Sequence, residues 1–356
     1  MAASSVMNLV SVVTVTVDGT PLPGEAAQDL LSVLVREEVQ HPATFSLSLM
    51  NWGADPARPG MKWSDDELFA IGKTLEIKLG YMDQTETLMT GEITGSELVC
   101  AAGQEPRFVV RGYDRGHRLM RGRKTHSFTH MTDSDIVEQI AGRYGLIVET
   151  EPTREVYPYV LQNNLTDAEF LETRAQRIGY EVFVRDRRLI FRARKHTAAE
   201  SLTLNYPADL QQISIYRSSM QQVGAVAMRS WDAASKRARV GQSSSDDESS
   251  TMSGKALGIA AASSAFGDAT WNGGSHPTSS QADADQVAKA RLQRMALDYI
   301  RAESELNGRT DLRAGITVHL DGLGKAHSGL YYITSATHRY SHNGYRTSFE
   351  ARRNAN

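Results

Sequence analysis

Gly72-Lys73-Thr74 ends like a phosphate-binding loop, but the earlier glycine such a loop requires falls at Glu67, and a strand pattern follows. A phosphate cradle uses the free amides of a helix N-terminus, so no nucleotide site is expected there. Gly322, Gly324 and Gly329 lie between strand patterns without the dinucleotide-binding spacing and read as a hairpin turn. His126 and His130, four apart, could share a metal on a helix, but the intervening Ser127-Phe128-Thr129 favours strand or loop and no carboxylate partner lies nearby. No serine occupies a Gly-x-Ser-x-Gly elbow, and Cys100, the single cysteine, has no adjacent histidine. The 42 acidic residues are too many for one pair to be singled out for glycoside cleavage. The expectation is a chain that is not an enzyme and has no catalytic residue, cofactor or metal. A hydrolase whose triad assembles only in space is the enzymatic alternative.

One charged stretch stands out. Arg111, Arg115, Arg118, Arg121, Arg123 and Lys124 cluster with Asp114 as the only acid among them. Such a cluster could grip a phosphate backbone, but stacking aromatics are not interleaved with it, and the chain's net charge of -3 argues against general nucleic-acid binding. A nucleic-acid-binding module is kept as a further alternative. Arg115, Arg118, Arg121, Arg123 and Lys124 are the candidates for a partner contact, with a solvated face as the plain reading. Tyr331, Tyr332 and Tyr340 read as barrel core and rim rather than a ligand box.

The elements that would carry these residues begin with a duplication. TDSDIVEQIAGRYGL at 132–146 and TDAEFLETRAQRIGY at 166–180 agree, after a shift of 34, at Thr132/Thr166, Asp133/Asp167, Glu138/Glu172, Ala141/Ala175, Arg143/Arg177 and Gly145/Gly179. Thr132 and Thr166 are expected as N-caps with Asp135 and Glu169 as capping-box acids, and Gly145 and Gly179 as left-handed terminators. Around these two amphipathic helices the chain reads as β. VVTVTV runs into the Asp18-Gly19 turn, and alternating strands recur to Asp114 at the spacing of a small antiparallel barrel or sandwich. Strand patterning returns after residue 198 and closes the chain with GITVHL, GLYYITSATHRY and YRTSFEARR.

The expected fold is mainly β with an α+β insert. It comprises a first barrel at 1–114, the insert at 115–198 and a second barrel at 199–356. Between residues 241 and 280, 11 serines and 6 glycines in 40 residues suggest a flexible excursion, followed by a helix at about 281–299. At 356 residues the chain suits two or three domains. Its start lacks a basic segment and alternates as a strand does, so neither a signal peptide nor a membrane anchor is expected. One cysteine permits no intramolecular disulfide, which suits a reducing compartment.

Taken in order, GKTLEIKLGY with LMTGEITG, RGYDRGHRLMRG, the two repeat segments, LIFR, LRAGITVHLDGLGKAHSGLYYITSATHRY and GYRTSFEARR resemble the phage late control D protein and the N-terminal hub portion of VgrG spike proteins. The resemblance covers nearly the whole chain. It implies a baseplate hub of a contractile phage-tail-like machine, assembled in the cytoplasm and held in the baseplate of a phage particle or injection system. In that family each chain supplies two tube-like β-barrels, and a homotrimer makes a pseudo-sixfold ring between a hexameric tail tube and a trimeric spike. Implied partners are tube or tube-initiator proteins, a spike protein or spike domain, and baseplate wedge proteins, with no nucleic-acid specificity and no membrane insertion. The chain departs from the VgrG pattern in stopping directly after the last hub strands and in its Ser/Gly-rich excursion, expected to face a partner or the lumen. The enzymatic alternative becomes a cell-wall hydrolase of such a machine.

Overall fold

A computed structural model describes residues 10–53, 60–82, 84–232, 235–248, 250–274 and 277–356. The protein is mainly β. Among the described residues, thirteen strands form one sheet, whose main path runs Leu210–Arg217, Ile300–Asn307, Gly344–Arg353, Gly329–Ser341, Leu30–Glu38, His41–Met50, Arg107–Tyr113, Gln84–Val99, Thr74–Tyr81, Ser11–Val17 and Thr20–Pro21. The strands of 11–113 and of 210–353 therefore share a sheet. They meet at an antiparallel seam that pairs Ser32 with Ser341 and Glu38 with Ser335.

Each half keeps its own core because the strands alternate. His41–Met50 buries Ala43, Phe45, Leu47 and Leu49 and turns Thr44, Ser46 and Ser48 outward, as a period of two requires of a sheet covered on one face. With Val33, Val35, Leu75, Ile77, Leu79 and Val110 these residues fill the first core. Ile300, Ala302, Leu306, Leu320, Ile333, Phe349 and Ala351 fill the second. Tyr345, from the strand Gly344–Arg353, packs in the first core and lies flat against Gly308, where any side chain would collide with its ring.

The helices of the duplication are Asp133–Arg143 and Asp167–Ile178. Thr132 Oγ1 accepts from Asp135 N at 3.2 Å and Thr132 N donates to the Asp135 carboxylate at 2.9 Å; Thr166 and Glu169 repeat this at 3.1 and 2.9 Å. Two orphan amides are thereby satisfied at each helix start. Gly179 ends the second helix at φ +78°, in the left-handed region. The first helix has Tyr144 as its C-cap, and Gly145, at φ +62°, follows it. Ile136, Val137, Ile140, Phe170, Leu171 and Ala175 pack with Leu189 and Phe191 of a small mixed sheet formed by Ile147–Thr150, Arg188–Ala193 and Tyr180–Arg185.

The Ser/Gly-rich stretch 241–280 differs from the patternless excursion expected of its composition. It contains the end of the strand Arg237–Ser244, the helix Gly258–Phe266 and the strand Thr270–Gly274, which pairs in parallel with Ala225–Asp232. Ile259 and Ala262 are buried, and Ile259 packs with Val226 and with Ala288, Leu292 and Ala296 of the long helix Gln281–Leu297. Small residues let these elements approach closely, so a composition that reads as loop also serves tight packing.

A single carboxylate joins the three parts of the chain. Glu37, on a seam strand, accepts from Arg313 Nε at 2.8 Å and also from Arg313 Nη2, while Arg185 of the insert lies 3.9 Å away. Arg313 also donates to the Leu88 carbonyl at 2.7 Å, and Arg185 to that of Ala314 at 3.0 Å. Burial works to raise the Glu37 pKa, but Arg313 and Arg185 outweigh it and hold it below the usual carboxylate value. Removing one member of a buried pair strands its partner, so Glu37→Ala is expected to cost roughly 3–5 kcal/mol in denaturant unfolding. Thr166→Ala removes one capping hydroxyl and should cost about 1 kcal/mol in the same measurement.

Candidate assembly surface

The basic stretch is held by Asp114. Its carboxylate accepts from Ala43 N and Gly116 N, both at 2.7 Å, and so caps the 3-10 helix Arg115–Met120 against the strand His41–Met50. Burial pushes the Asp114 pKa up to about 8, against the lowering effect of the two amides. The helix then presents its cations to Glu92. Arg118 makes a bidentate pair with that carboxylate at 2.7 and 2.8 Å, His117 Nε2 lies 2.8 Å from it, and Arg115 3.5 Å. Burial would raise the Glu92 pKa, but Arg118 and His117 keep it low.

Two more of the candidate cations serve the duplication. Arg123 bridges the Asn164 carbonyl at 2.7 Å and Glu169 at 2.8 Å. Lys124 pairs with the buried Asp167 at 2.5 Å and with Tyr144 Oη at 2.8 Å. Of the five residues put forward for a partner contact, Arg115, Arg118, Arg123 and Lys124 are thus tied into the protein itself. Arg121 is exposed and, among the described residues, makes no ion pair. It borders a depression shared with Ile71, which is 71% exposed.

The repeated Thr-Asp carries more than a cap. Asp133 and Asp167 occupy the same place in the two copies, both are buried, and each takes a cation from elsewhere: Arg174 at 2.5 Å for Asp133, Lys124 for Asp167. Burial raises the Asp133 pKa despite Arg174, whereas Lys124, Tyr144 and Gln162 overcome burial and lower that of Asp167. The matching aspartates were the available sequence signal. Their partners were not readable, because the two ion pairs are formed across 41 and 43 residues. Arg177 of the second repeat pairs with Asp283 of the long helix, and Arg143 of the first lies 3.9 Å from Asp167. Glu181, also unanticipated, binds Arg192 at 3.0 Å and accepts from Tyr332 Oη, fastening the insert to the second half.

The outward face of the large sheet is polar along its registers. Gln212, Glu305, Ser348, Thr337, Arg36, Thr44 and Tyr113 succeed one another across seven strands. In the adjacent row Glu303 faces Glu350, a repulsive cross-strand pair eased by Arg36, whose guanidinium lies 3.7 Å from Glu350 and 3.4 Å from Glu38. Among the described residues the main path of the sheet ends on Leu210–Arg217, bearing Tyr216 at 65% exposure, and on Ser11–Val17, whose outer side is paired only at Thr16 and Val17; a side branch through Thr317–Asp321 ends on the short strand Leu202–Asn205.

The other sequence candidates scatter. Lys73, of the abortive phosphate loop, donates its ammonium to the carbonyls of Glu67 and Leu68. His126 lies on the strand Lys124–Phe128 against the Phe128 ring, and His130 sits just beyond that strand at φ +54°. Among the described residues no three histidine, cysteine or acidic side chains group as metal ligands. Cys100 is exposed, and Tyr331 and Tyr332 are buried in the sheet. Among the described residues no helix is long and apolar enough to cross a membrane.

The whole fold is shared with solved tail proteins. The 43 kDa tail protein of prophage MuSo2 from Shewanella oneidensis superposes with a TM-score of 0.71 at 12% identity, covering 96% of this chain and 98% of that one. A tail protein from Neisseria meningitidis MC58 gives 0.69 at 13% identity, with 96% of each chain covered. An E. coli component of the type VI secretion system, described as similar in structure to the T4 bacteriophage tail proteins gp27 and gp5, gives 0.56 at 13% identity, covering 95% of this chain and 76% of that one. At these identities the likeness establishes a tail-hub-type fold. No match was found among curated proteins. The family model described as the Alg8 N-terminal domain matches residues 7–342, and the chain belongs to that family.

Proposed function

We propose that this chain is the structural baseplate hub of a contractile phage-tail-like machine, and that three copies close into a ring. The observation that carries this reading is the sheet whose main path passes through both cores and ends on two largely unpaired edges, one in each half. An unpaired edge in a monomer is a hazard that proteins cover or block. Here one outer edge, Leu210–Arg217, lies on the second half's side of the seam and the other, Ser11–Val17, on the first half's side, so edge-to-edge contact between copies is heterologous and closes only by rotation. Each copy offers two cores in one sheet, so a threefold ring repeats a barrel-like unit six times. That is the match a hexameric tube needs on one side, while a trimeric spike can use the true threefold on the other.

The polar outward face suits the lining of such a ring, since rows of hydroxyls and mixed charges bind neither apolar nor singly charged cargo strongly. No catalytic step is required of the hub. The particle would be assembled in the cytoplasm, with the insert outside the ring and within reach of baseplate wedge proteins.

Sedimentation at micromolar concentration should give a trimer, and a stable monomer would end the proposal. Tyr216→Lys, at an exposed position on an edge strand, should reduce the trimer fraction without lowering the melting temperature of the monomer. Arg121→Glu alters the exposed cation that lacks an internal ion pair. It is expected to weaken baseplate incorporation in a particle-assembly assay while leaving both trimer and unfolding midpoint unchanged. Trimer loss on that substitution would instead place Arg121 in the subunit interface.

A further inference from the structure

A groove of about 780 Å3 lies between the insert and the long helix, and none of its lining belongs to the large sheet. One lip is apolar and open: Tyr159 is 59% exposed and Leu161 44%. The opposite wall carries Met228 of Ala225–Asp232 and Trp271 of the strand Thr270–Gly274 that pairs with it.

The floor is cationic. Four arginines line it, and their compensation is uneven. Arg174 has Asp133 and lies over the Tyr157 ring at 4.3 Å; Arg177 has Asp283. Arg291 and Arg294 have no carboxylate within ion-pair distance among the described residues. Arg291 rests on the Trp271 ring at 4.5 Å, and its Nε is buried without an acceptor. Arg294 donates only to neutral oxygens, Gln176 Oε1 at 3.0 Å and the Gln176 carbonyl at 3.2 Å. Burial, together with Arg194 and Arg291, lowers the Arg294 pKa to about 10; Glu172 and Asp298 oppose this only weakly.

Two guanidiniums side by side, one stacked on an indole, make a fork for a planar anion at the bottom of an apolar slot. A free inorganic anion would leave the Tyr159, Leu161 and Trp271 surface unused. An apolar helix face would desolvate the arginines without replacing their solvation. From this complementarity of charge and surface, we infer that the groove docks a segment of another protein that presents a carboxylate beside aliphatic side chains. The site is independent of the ring proposed above, because it shares no residue with the sheet edges.

The test uses the full chain and a fluorescein-labelled synthetic heptapeptide alternating leucine and glutamate, read by anisotropy and by quenching of Trp271. A matched peptide with glutamine for glutamate serves as the control. Saturable binding is expected for the acidic peptide, with the glutamine peptide about tenfold weaker or worse, the loss of roughly one charge-assisted hydrogen bond. Arg291→Gln and Arg294→Gln should each weaken the acidic peptide by a similar factor at an unchanged melting temperature, and Trp271→Phe should remove the quenching while retaining a fold. Equal affinity for the two peptides, indifference to both arginine substitutions, or no binding up to the millimolar range would overturn the inference. So would a change of oligomeric state on Arg291→Glu, which would make the occupant a second copy of this chain.

Discussion

The pairing of Glu37 with Arg313 and Arg185 is the constraint on which the architecture depends. The three residues come from the first half, the second half and the insert, and Glu37 lies against both arginines. Apolar packing could hold the halves together more strongly, because two charges taken from water return little net stability. Apolar contacts are, however, tolerant of sliding. A bidentate carboxylate is not, and Glu37 holds Arg313, with the turn leading into Thr317–Asp321, at a fixed place beside the seam strand Leu30–Glu38.

The same device recurs at several contacts between the insert and the rest. Glu181 with Arg192 and Tyr332, Asp283 with Arg177 and Tyr157, and Glu92 with Arg118 and His117 each join elements distant in sequence through a buried or nearly buried acid. Within each part the cores are aliphatic and aromatic, as the alternating strands dictate. Between the parts, ion pairs add to the strand pairing of the seam and to apolar contacts such as Tyr345. An insert fastened in this way is oriented by a few directional contacts.

How much of this was legible follows from distance along the chain. The duplicated helices could be read because capping boxes are made within four residues, and the alternation of Phe45, Leu47 and Leu49 announced a half-buried strand by itself. The seam could not be read, since it pairs positions about 300 residues apart and nothing in either strand names its neighbour. The basic stretch was visible as charge, but its ties to Glu92, Glu169 and Asp167 appear only in space. The Ser/Gly-rich stretch misled for a different reason. Composition records how readily a segment stays unfolded, and it does not register a few buried contacts such as Ile259 on the long helix.

Tyr345 in the first core, together with the seam, bears on the order of events at the ribosome. Both outer strands of the sheet, Ser11–Val17 and Leu210–Arg217, emerge before the strand Gly329–Ser341 that links the halves. A nascent chain can therefore fold its first half around Phe45 and Leu47 while the inner edge at Leu30–Glu38 still waits, bearing Arg36 and Glu38 as temporary charged guards against mispairing. Only when the hairpin of Gly329–Ser341 and Gly344–Arg353 joins that edge do the two outer strands acquire a fixed relation to each other. The spacing of those two edges is thus set by a stretch of chain that is made after both of them.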